Sequence, residues 1–227
     1  MKKIILIVIM TLLFKPVIFA QDVNALVKKV KTKLDKVNDY VAEGIMKTDV
    51  AFIKAPPGKV KVYYKKPNKF SVKREGGISI LPKGGVSVNI SSMLGANNFT
   101  AIASGETTVG GNKLKIVKLL PTDEGGDVVL TTLFIDEANL LIRKSNTTTR
   151  ENGTFEMEMS YGKYAAFGLP DKVVFLFNTK DYKIPKGVTL EFETGDAPKD
   201  AKDKKGRVEI TYNSYLINKG MANAEFK

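Results

Sequence analysis

The sequence contains no histidine, no cysteine and no tryptophan among its 227 residues. Without histidine or cysteine the chain cannot build a Ser-His-Asp or Cys-His nucleophilic site, and it lacks the usual ligands of zinc and copper. Without cysteine it can form no disulfide, so the folded state must be stabilised by burial of apolar surface. There is also no glycine-rich phosphate-binding motif. We therefore expect no cofactor and no metal centre.

Acidic residues are the remaining source of catalytic groups. Glu156 and Glu158 are two residues apart, which would place both carboxylates on one face of a strand, as a two-carboxylate hydrolase requires. They also form the polar face of an amphipathic strand, and a solvated sheet surface is the favoured interpretation. Asp123, Glu124 and Asp127 lie in a glycine-rich segment, where a turn is favoured over a weak calcium site because no EF-hand pattern surrounds them. We expect a non-catalytic protein.

The N-terminus has the parts of a secretory signal peptide. Lys2 and Lys3 precede an apolar run from Ile4 to Phe14, and Ala20 is a small residue at a suitable cleavage position. The run is shorter than the roughly 20 residues that span a membrane, so an uncleaved anchor is the less favoured alternative. The sequence predicts export, cleavage near Ala20, and a mature chain of residues 21–227 that folds as a single domain.

The mature chain is strongly basic. The formal net charge is +12 at pH 7, and it falls to +9 when Lys2, Lys3 and Lys15 are removed with the signal peptide. Such a charge favours anionic partners, and export argues against nucleic acid as one of them. A solvated basic surface that keeps the protein soluble is one interpretation. Contact with a membrane surface or an acidic protein is the other.

A basic amphipathic helix is predicted at the start of the mature chain. Asp22 is a candidate N-cap, and apolar residues recur at helical spacing as far as Asn38, with lysines between them. The apolar positions are Val23, Leu26, Val27, Val30, Leu34 and Val37. Their stripe needs a surface to pack on, and the β-rich remainder of the chain supplies one.

From Tyr40 onward the apolar period changes to two, which indicates β-strands. The candidate strands are residues 40–53, 59–64, 69–74, 78–81, 99–104, 113–119, 128–135, 140–148, 154–161, 172–178, 188–193 and 207–217. Glycine-, asparagine- and aspartate-rich segments between several of them predict hairpin turns. The pattern predicts a mainly β fold with one or two helices, in which a strongly curved antiparallel sheet wraps around the helix. Residues 89–98 fit a short helical turn and an ordinary loop equally well.

Four features of the chain occur together in a known family. The signal peptide leads directly into the basic helix, and residues 62–70 (VYYKKPNKF) place a basic-basic-Pro-Asn turn between two aromatic positions. Gly168-Leu169-Pro170 precedes a phenylalanine-rich strand, and the tail combines residues 215–220 (YLINKG) with Phe226. Together these features resemble the LolA-like periplasmic carriers of outer-membrane lipoproteins.

The resemblance implies an incompletely closed, half β-barrel covered by a helical lid over an apolar cavity. It also implies a monomeric periplasmic carrier or chaperone, which binds lipoprotein acyl chains or other lipids. Such a carrier receives its cargo from an inner-membrane donor, delivers it to an outer-membrane acceptor and makes transient membrane contact. In such carriers an arginine in the basic-basic-Pro turn contributes to holding the lid shut. Lys66 stands at that place here, and it offers one charged point where arginine offers a planar fork.

The inward-facing side chains are candidates for contact with lipid. Methionine is flexible and polarizable, and aromatic rings supply apolar area. The predicted ligand-binding residues are Phe52, Tyr64, Phe70, Met93, Phe155, Met157, Met159, Phe175 and Phe177. The predicted partner or lid contacts are Lys65, Lys66 and Lys69. Two alternatives stay open: a closed core filled by the same side chains, and a non-transporting sensor or scaffold module that binds an envelope partner.

Overall fold

The computed structural model describes residues 23–50, 56–75, 94, 99–123, 125–151, 153–178 and 205–226. The predicted signal peptide, the candidate strands at 78–81 and 188–193, and most of the 89–98 segment lie outside the described residues. Within these ranges the chain forms one α-helix and ten β-strands, which confirms the predicted mainly β fold. No helix in this part of the chain is long and apolar enough to cross a membrane.

The elements follow the predicted order closely. Helix α1 covers Val23–Leu34. The strands are β1 Asp39–Asp49, β2 Gly58–Lys65, β3 Lys69–Arg74, β4 Phe99–Val109, β5 Asn112–Pro121, β6 Val128–Asp136, β7 Leu141–Thr149, β8 Thr154–Ser160, β9 Lys172–Asn178 and β10 Lys205–Ile217. Two short 3-10 turns cover Ala165–Phe167 and Asn223–Phe226.

The ten strands form one sheet in the order β3-β2-β1-β10-β9-β8-β7-β6-β5-β4. Every neighbouring pair is antiparallel. Strands β1 and β10 pair at the point where an N-terminal three-strand meander meets a seven-strand meander. Within the described residues β3 and β4 are opposite edges that do not pair with each other, so the sheet is open.

Helix α1 packs its apolar stripe on the concave side of this sheet. Leu26, Val27, Val30 and Leu34 are buried, and they join one cluster with side chains from β5 to β9. We call this the helix cluster; its other buried members are Leu94, Val117, Leu119, Leu133, Ile135, Ile142, Met157, Met159 and Val173. Five neighbouring strands span about 19 Å, whereas a helix is about 10–12 Å across. The sheet must therefore curve around the helix for one cluster to include all of them.

The helix ends earlier than the sequence predicts. The apolar spacing extends to Val37, but α1 stops at Leu34. After it the backbone tightens, because the N–H of Val37 donates to the carbonyl of Leu34 at 3.1 Å. Val37 is nevertheless buried against the sheet. A tight turn that follows a helix can keep an apolar residue on the same face, so periodicity alone overestimated the helix length.

The predicted turn between β4 and β5 is confirmed. Gly110 and Gly111 have φ angles of 55° and 78°, in the left-handed region that glycine enters without steric cost. Two successive positive φ angles are typical of the two-residue hairpin whose twist matches that of the flanking strands.

Strand β4, one edge of the sheet, is interrupted by a bulge. Its pairing with β5 shifts between Ala103 and Glu106, and Gly105 at this place has a φ of 92°. Glu106 forms an ion pair with Lys113 at 2.6 Å and another with Lys115. The edge therefore combines an irregular ladder with charged side chains.

A buried carboxylate fixes the turn between β6 and β7. Asp136 accepts hydrogen bonds from the backbone N–H of Asn139 at 3.1 Å, its Nδ2 at 2.9 Å and the Nη2 of Arg143 at 2.9 Å. Burial alone would raise the pKa of Asp136, but the hydrogen bonds from Asn139 and Arg143 outweigh it and hold the pKa below its ordinary value. The folded protein therefore favours the charged form of Asp136.

We predict that Asp136→Asn lowers the free energy of unfolding at pH 7 by about 1–3 kcal/mol, because hydrogen bonds to a charged group are lost. A depressed carboxyl pKa stabilises the fold above the unfolded-state value and ceases to do so as the pH falls through the folded-state value. The wild-type protein should therefore begin to lose this increment below about pH 4, and the difference between the two proteins should shrink as the pH falls further. Urea unfolding at pH 7 and at pH 3 checks this; an equal difference at both pH values would contradict it.

Candidate functional site

The concave face of β8 and β9 carries five of the predicted ligand-binding residues. Phe155, Met157 and Met159 alternate with polar residues along β8, and all three are buried. Phe175 and Phe177 lie opposite Met157 and Phe155 in register, and they are buried as well. The predicted alternation is confirmed, and it places a continuous apolar surface on the inner side of the sheet.

These residues divide between two neighbouring clusters. Met157 and Met159 belong to the helix cluster, beneath α1. The three phenylalanines form a second group, with ring centroids 5.4 Å apart for both Phe155–Phe175 and Phe175–Phe177. We call it the phenylalanine cluster; its buried members are Met46, Val50, Val60, Phe155, Phe175, Phe177, Val208 and Ile210. Phe52 and Met93 lie outside the described residues.

A glycine makes room for one ring of the phenylalanine cluster. Gly206 on β10 pairs with Phe177 on β9, and a Cβ at Gly206 would lie 2.4 Å from the Cζ atom of Phe177. Real Cβ atoms do not approach a ring so closely. The small residue thus lets Phe177 lie flat over the neighbouring strand.

Tyr64 and Phe70 belong to a third group, built largely from tyrosines. Tyr64 is buried and lies opposite Phe70 in register, and Phe70 is half-buried. Ring centroids are 4.8–5.4 Å apart for Tyr40–Tyr64, Tyr40–Tyr215, Tyr164–Tyr215 and Tyr212–Tyr215. We call this the tyrosine cluster; it comprises Tyr40, Tyr64, Tyr164, Tyr212 and Tyr215, packed with Val37, Ala42, Val62, Leu169 and Phe70.

Most of the tyrosine cluster could not be predicted from the sequence, because its arrangement depends on a β-bulge. Tyr212 and Tyr215 are three residues apart, so a regular strand would send them to opposite faces. The pairing of β1 with β10 shifts between Glu43 and Gly44, so that Tyr212 lies opposite Gly44 and Tyr215 opposite Ala42. The extra residue turns both rings to the inner face.

Three tyrosines of this cluster, Tyr40, Tyr212 and Tyr215, have a raised pKa and remain neutral. Burial raises the pKa of Tyr212, and burial together with neighbouring phenols raises the pKa of Tyr40 and Tyr215 above the ordinary value. The hydroxyl of Tyr215 donates to the carbonyl of Pro170 at 2.7 Å. The cluster therefore presents uncharged rings with hydroxyls, amphipathic in character, beside the end of α1.

Lys66 contacts the end of the helix. Its Nζ donates to the backbone carbonyl of Asp35 at 2.6 Å and lies 3.5 Å from the carboxylate Oδ1. The ammonium group thus lies where the helix dipole favours a positive charge. Partial burial works to raise the pKa of Asp35, but the bonds and charges of Lys31 and Lys66 outweigh it and keep the pKa below its ordinary value. These contacts tie the turn between β2 and β3 to the end of α1.

Three further contacts hold the C-terminal half of α1. The Nζ of Lys33 donates to the carbonyl of Asn139 at 2.6 Å, and the Nδ2 of Asn218 donates to the carbonyl of Lys36 at 2.8 Å. At Gly168, whose φ is 69°, a Cβ would lie 2.8 Å from the Cδ2 of Leu34. The predicted Gly168-Leu169-Pro170 motif therefore has a structural role, since it lets Leu34 pack closely.

Lys65 and Lys69 contact the C-terminal tail rather than the helix. The Nζ of Lys65 donates to the carbonyl of Met221 at 2.6 Å. The Nζ of Lys69 donates to the Oδ1 of Asn223 at 2.9 Å. No local sequence pattern indicates this, because more than 150 residues separate the partners.

Apart from Glu124, which lies outside the described residues, the acidic residues considered above lie on the outer surface and in turns. Glu156 forms an ion pair with Lys144 at 2.6 Å, and Glu158 is exposed. Asp123 accepts the backbone N–H of Gly125 at 3.0 Å, as in a turn. Among the described residues there is no group of three or more acidic side chains placed to hold a metal ion.

Comparison with solved structures identifies proteins of the same architecture. An outer membrane lipoprotein-sorting protein domain from Vibrio parahaemolyticus superposes with a TM-score of 0.57 at 10% identity, over 89% of this chain and 95% of that one. A LolA superfamily protein from Nitrosomonas europaea gives 0.54 at 8% identity, over 88% and 97%. The chain has the LolA-like fold.

A DUF1329 family protein from Desulfovibrio piger shares the LolA-like fold as well, with a TM-score of 0.53 at 11% identity, over 90% of this chain and 97% of that one. No protein-family model matches the sequence, and no curated protein matches it. The similarity to these proteins is therefore one of fold, and it does not extend to the sequence.

We predict that Lys66→Ala speeds hydrogen exchange of the amides in the last turn of α1 by about fivefold or less, the effect of one lost charge contact at a helix end. Lys66→Arg should preserve the protection. Lys59→Ala, which removes an exposed lysine at the other end of β2, is the matched control. If Lys66→Ala behaves like that control, Lys66 does not hold the helix.

Proposed function

We propose that this protein is a periplasmic lipid carrier, which accommodates acyl chains of lipoproteins or other lipids between its sheet and α1 and transfers them between membranes. The position of α1 carries the proposal, because an amphipathic helix covers the apolar concave face of an open sheet. Similarity of fold to a lipoprotein-sorting domain and a LolA superfamily protein supports it. The predicted signal peptide supports the location. We propose binding rather than catalysis.

The contact between α1 and the sheet is of a kind that lipid can replace. Leu26, Val27 and Val30 are held by apolar packing, which is non-directional and scales with area. An acyl chain offers the sheet the same kind of surface, at about 0.8 kcal/mol per methylene buried. Exchanging a helix face for hydrocarbon therefore changes the free energy far less than exposing either one to water.

The polar contacts of α1 define where it could pivot. The bonds from Lys66, Lys33 and Asn218 all lie in the last turn or just after it. Directional bonds at that end and apolar packing nearer the start suit a lid that lifts from its N-terminal side. Met157 and Met159 lie on the sheet beneath it, and their flexible side chains adapt to a ligand of variable shape.

A carrier must also release its cargo. Complete burial of one sixteen-carbon chain would contribute roughly 12 kcal/mol, and several chains would exceed the practical ceiling for non-covalent binding. Partial coverage by a movable helix keeps the affinity comparable with that of a bilayer. The open sheet is suited to this, because β3 and β4 do not pair with each other within the described residues.

We predict that delipidated mature protein binds a fluorescent sixteen-carbon fatty acid and a diacylated lipopeptide. Met157→Gln should weaken binding about tenfold, since a buried amide on the sheet face is costly against hydrocarbon. Glu158→Gln, on the opposite face of the same strand, is the matched control and should bind as wild type does. Fluorescence titration provides the measurement, and thermal unfolding of each variant separates lost binding from lost folding.

Failure of the wild-type protein to take up either probe, at concentrations on the order of tens of micromolar, would refute lipid binding. Equal weakening by Met157→Gln and Glu158→Gln would place the ligand somewhere other than beneath α1. Mass spectrometry of an organic extract of protein purified from its native envelope would identify the natural lipid.

A further inference from the structure

The outer face of β2 and β3 carries a strip of lysines. Lys65 lies opposite Lys69 in register and Lys61 lies opposite Lys73, on the face that points away from Val62 and the tyrosine cluster. The Nζ of Lys73 lies 5.0 Å from the ring centroid of Tyr63, which shares this face. We call Lys65, Lys69, Lys73 and Tyr63 the basic strip. It lies across the sheet from the lipid-facing side.

The chain's own tail occupies the basic strip. The carbonyl of Met221 accepts from Lys65, and the amide oxygen of Asn223 accepts from both Lys65 at 3.3 Å and Lys69 at 2.9 Å. The carboxylate of Glu225 pairs with Lys73 at 3.0 Å. The strip thus binds a carbonyl, an amide and a carboxylate in succession along five residues of backbone.

An aromatic ring completes this contact. Lys69 Nζ lies 6.0 Å from the ring centroid of Phe226, at the outer limit of a cation–π interaction. The groups bound here are those of a peptide, since a lipid head group would supply the anion but neither the backbone carbonyl nor the ring. The tail itself therefore indicates the chemistry that the strip recognises.

The tail has a fixed part and a releasable part. The N–H groups of Lys219 and Gly220 donate to the buried carboxylate of Asp39 at 3.0 and 3.2 Å, which fixes the chain up to that point. Gly220 has a φ of 78°, so the chain turns there. Beyond it, Lys73 and Glu225 are both more than 40% exposed, and an exposed pair shifts an equilibrium by about fivefold at most. Met221 is buried as well, so a competing segment can displace the part after Met221 and leave the fold intact.

We propose that the basic strip is a docking site for an acidic peptide segment with an aromatic side chain, supplied by a partner protein, and that residues 222–226 occupy it in cis as a displaceable stand-in. The partner segment would bind the strip more tightly than the tail does, because it carries more than one carboxylate. This goes beyond lipid binding, because the site is on the opposite face of the sheet and operates with or without cargo.

The test uses the full mature protein and an amidated, fluorescein-labelled peptide with the sequence of residues 220–226 in which Ala222→Glu and Ala224→Glu add two charges. Fluorescence anisotropy and amide chemical shifts of the strip report binding. The double variant Glu225→Ala/Phe226→Ala weakens the tail's hold, and it should bind the peptide about fivefold more tightly than wild type. When Lys69→Ala/Lys73→Ala is added to this double variant, the gain in peptide affinity should be lost. When Lys47→Ala/Lys118→Ala is added instead, the gain should remain, because these two exposed lysines lie elsewhere on the sheet.

Three results would overturn the proposal. The first is a double variant that binds the peptide no better than wild type. The second is that a peptide with its three glutamates replaced by glutamine binds as tightly as the acidic peptide. That result would show that the strip does not recognise negative charge. The third is binding of the double variant to anionic phospholipid vesicles without binding of the peptide, which would make the strip a membrane contact.

Discussion

Helix α1 lies on the concave face of the sheet, and its buried leucines and valines cover that face. Each such side chain contributes about 1.5–3 kcal/mol when buried, so the helix is a large part of what keeps an open sheet stable in water. The same packing carries little directional information. A structure that depends on it is stable while closed and tolerant of a hydrocarbon substitute, and both properties are needed by a protein that stores and releases lipid.

The strands were largely predictable, because one face of the sheet is buried and the other is solvated. Along β8 the alternation of Phe155, Met157 and Met159 with glutamate sets the register without any tertiary knowledge. The prediction of which side chains share a face failed where pairing with a neighbouring strand interrupts the two-residue alternation. Tyr212 and Tyr215 share a face only because the pairing shifts beside Gly44, and such a shift is a property of two strands together.

The sequence predicted that these side chains face inward, but it did not predict how they divide between clusters. The sequence indicates which side chains point inward, yet it cannot show that the methionines lie beneath the helix while the phenylalanines form a separate cluster. The lysines illustrate the same limit. Lys65 and Lys66 are adjacent in the chain, and one reaches the tail while the other reaches the helix, because successive residues at a strand end point in different directions. Long-range partners of this kind leave no local signal.

The open sheet has a further consequence at its two margins. A half-barrel that stays accessible to cargo must expose strand edges, and an unguarded edge is a template for pairing with a second molecule. Here the bulge at Gly105 breaks the regular spacing of one margin, and the chain's last turn lies beside the other. Both devices hinder edge-to-edge polymerisation. An open sheet with an apolar concave face can therefore exist without the edge-to-edge aggregation that such an architecture would otherwise invite.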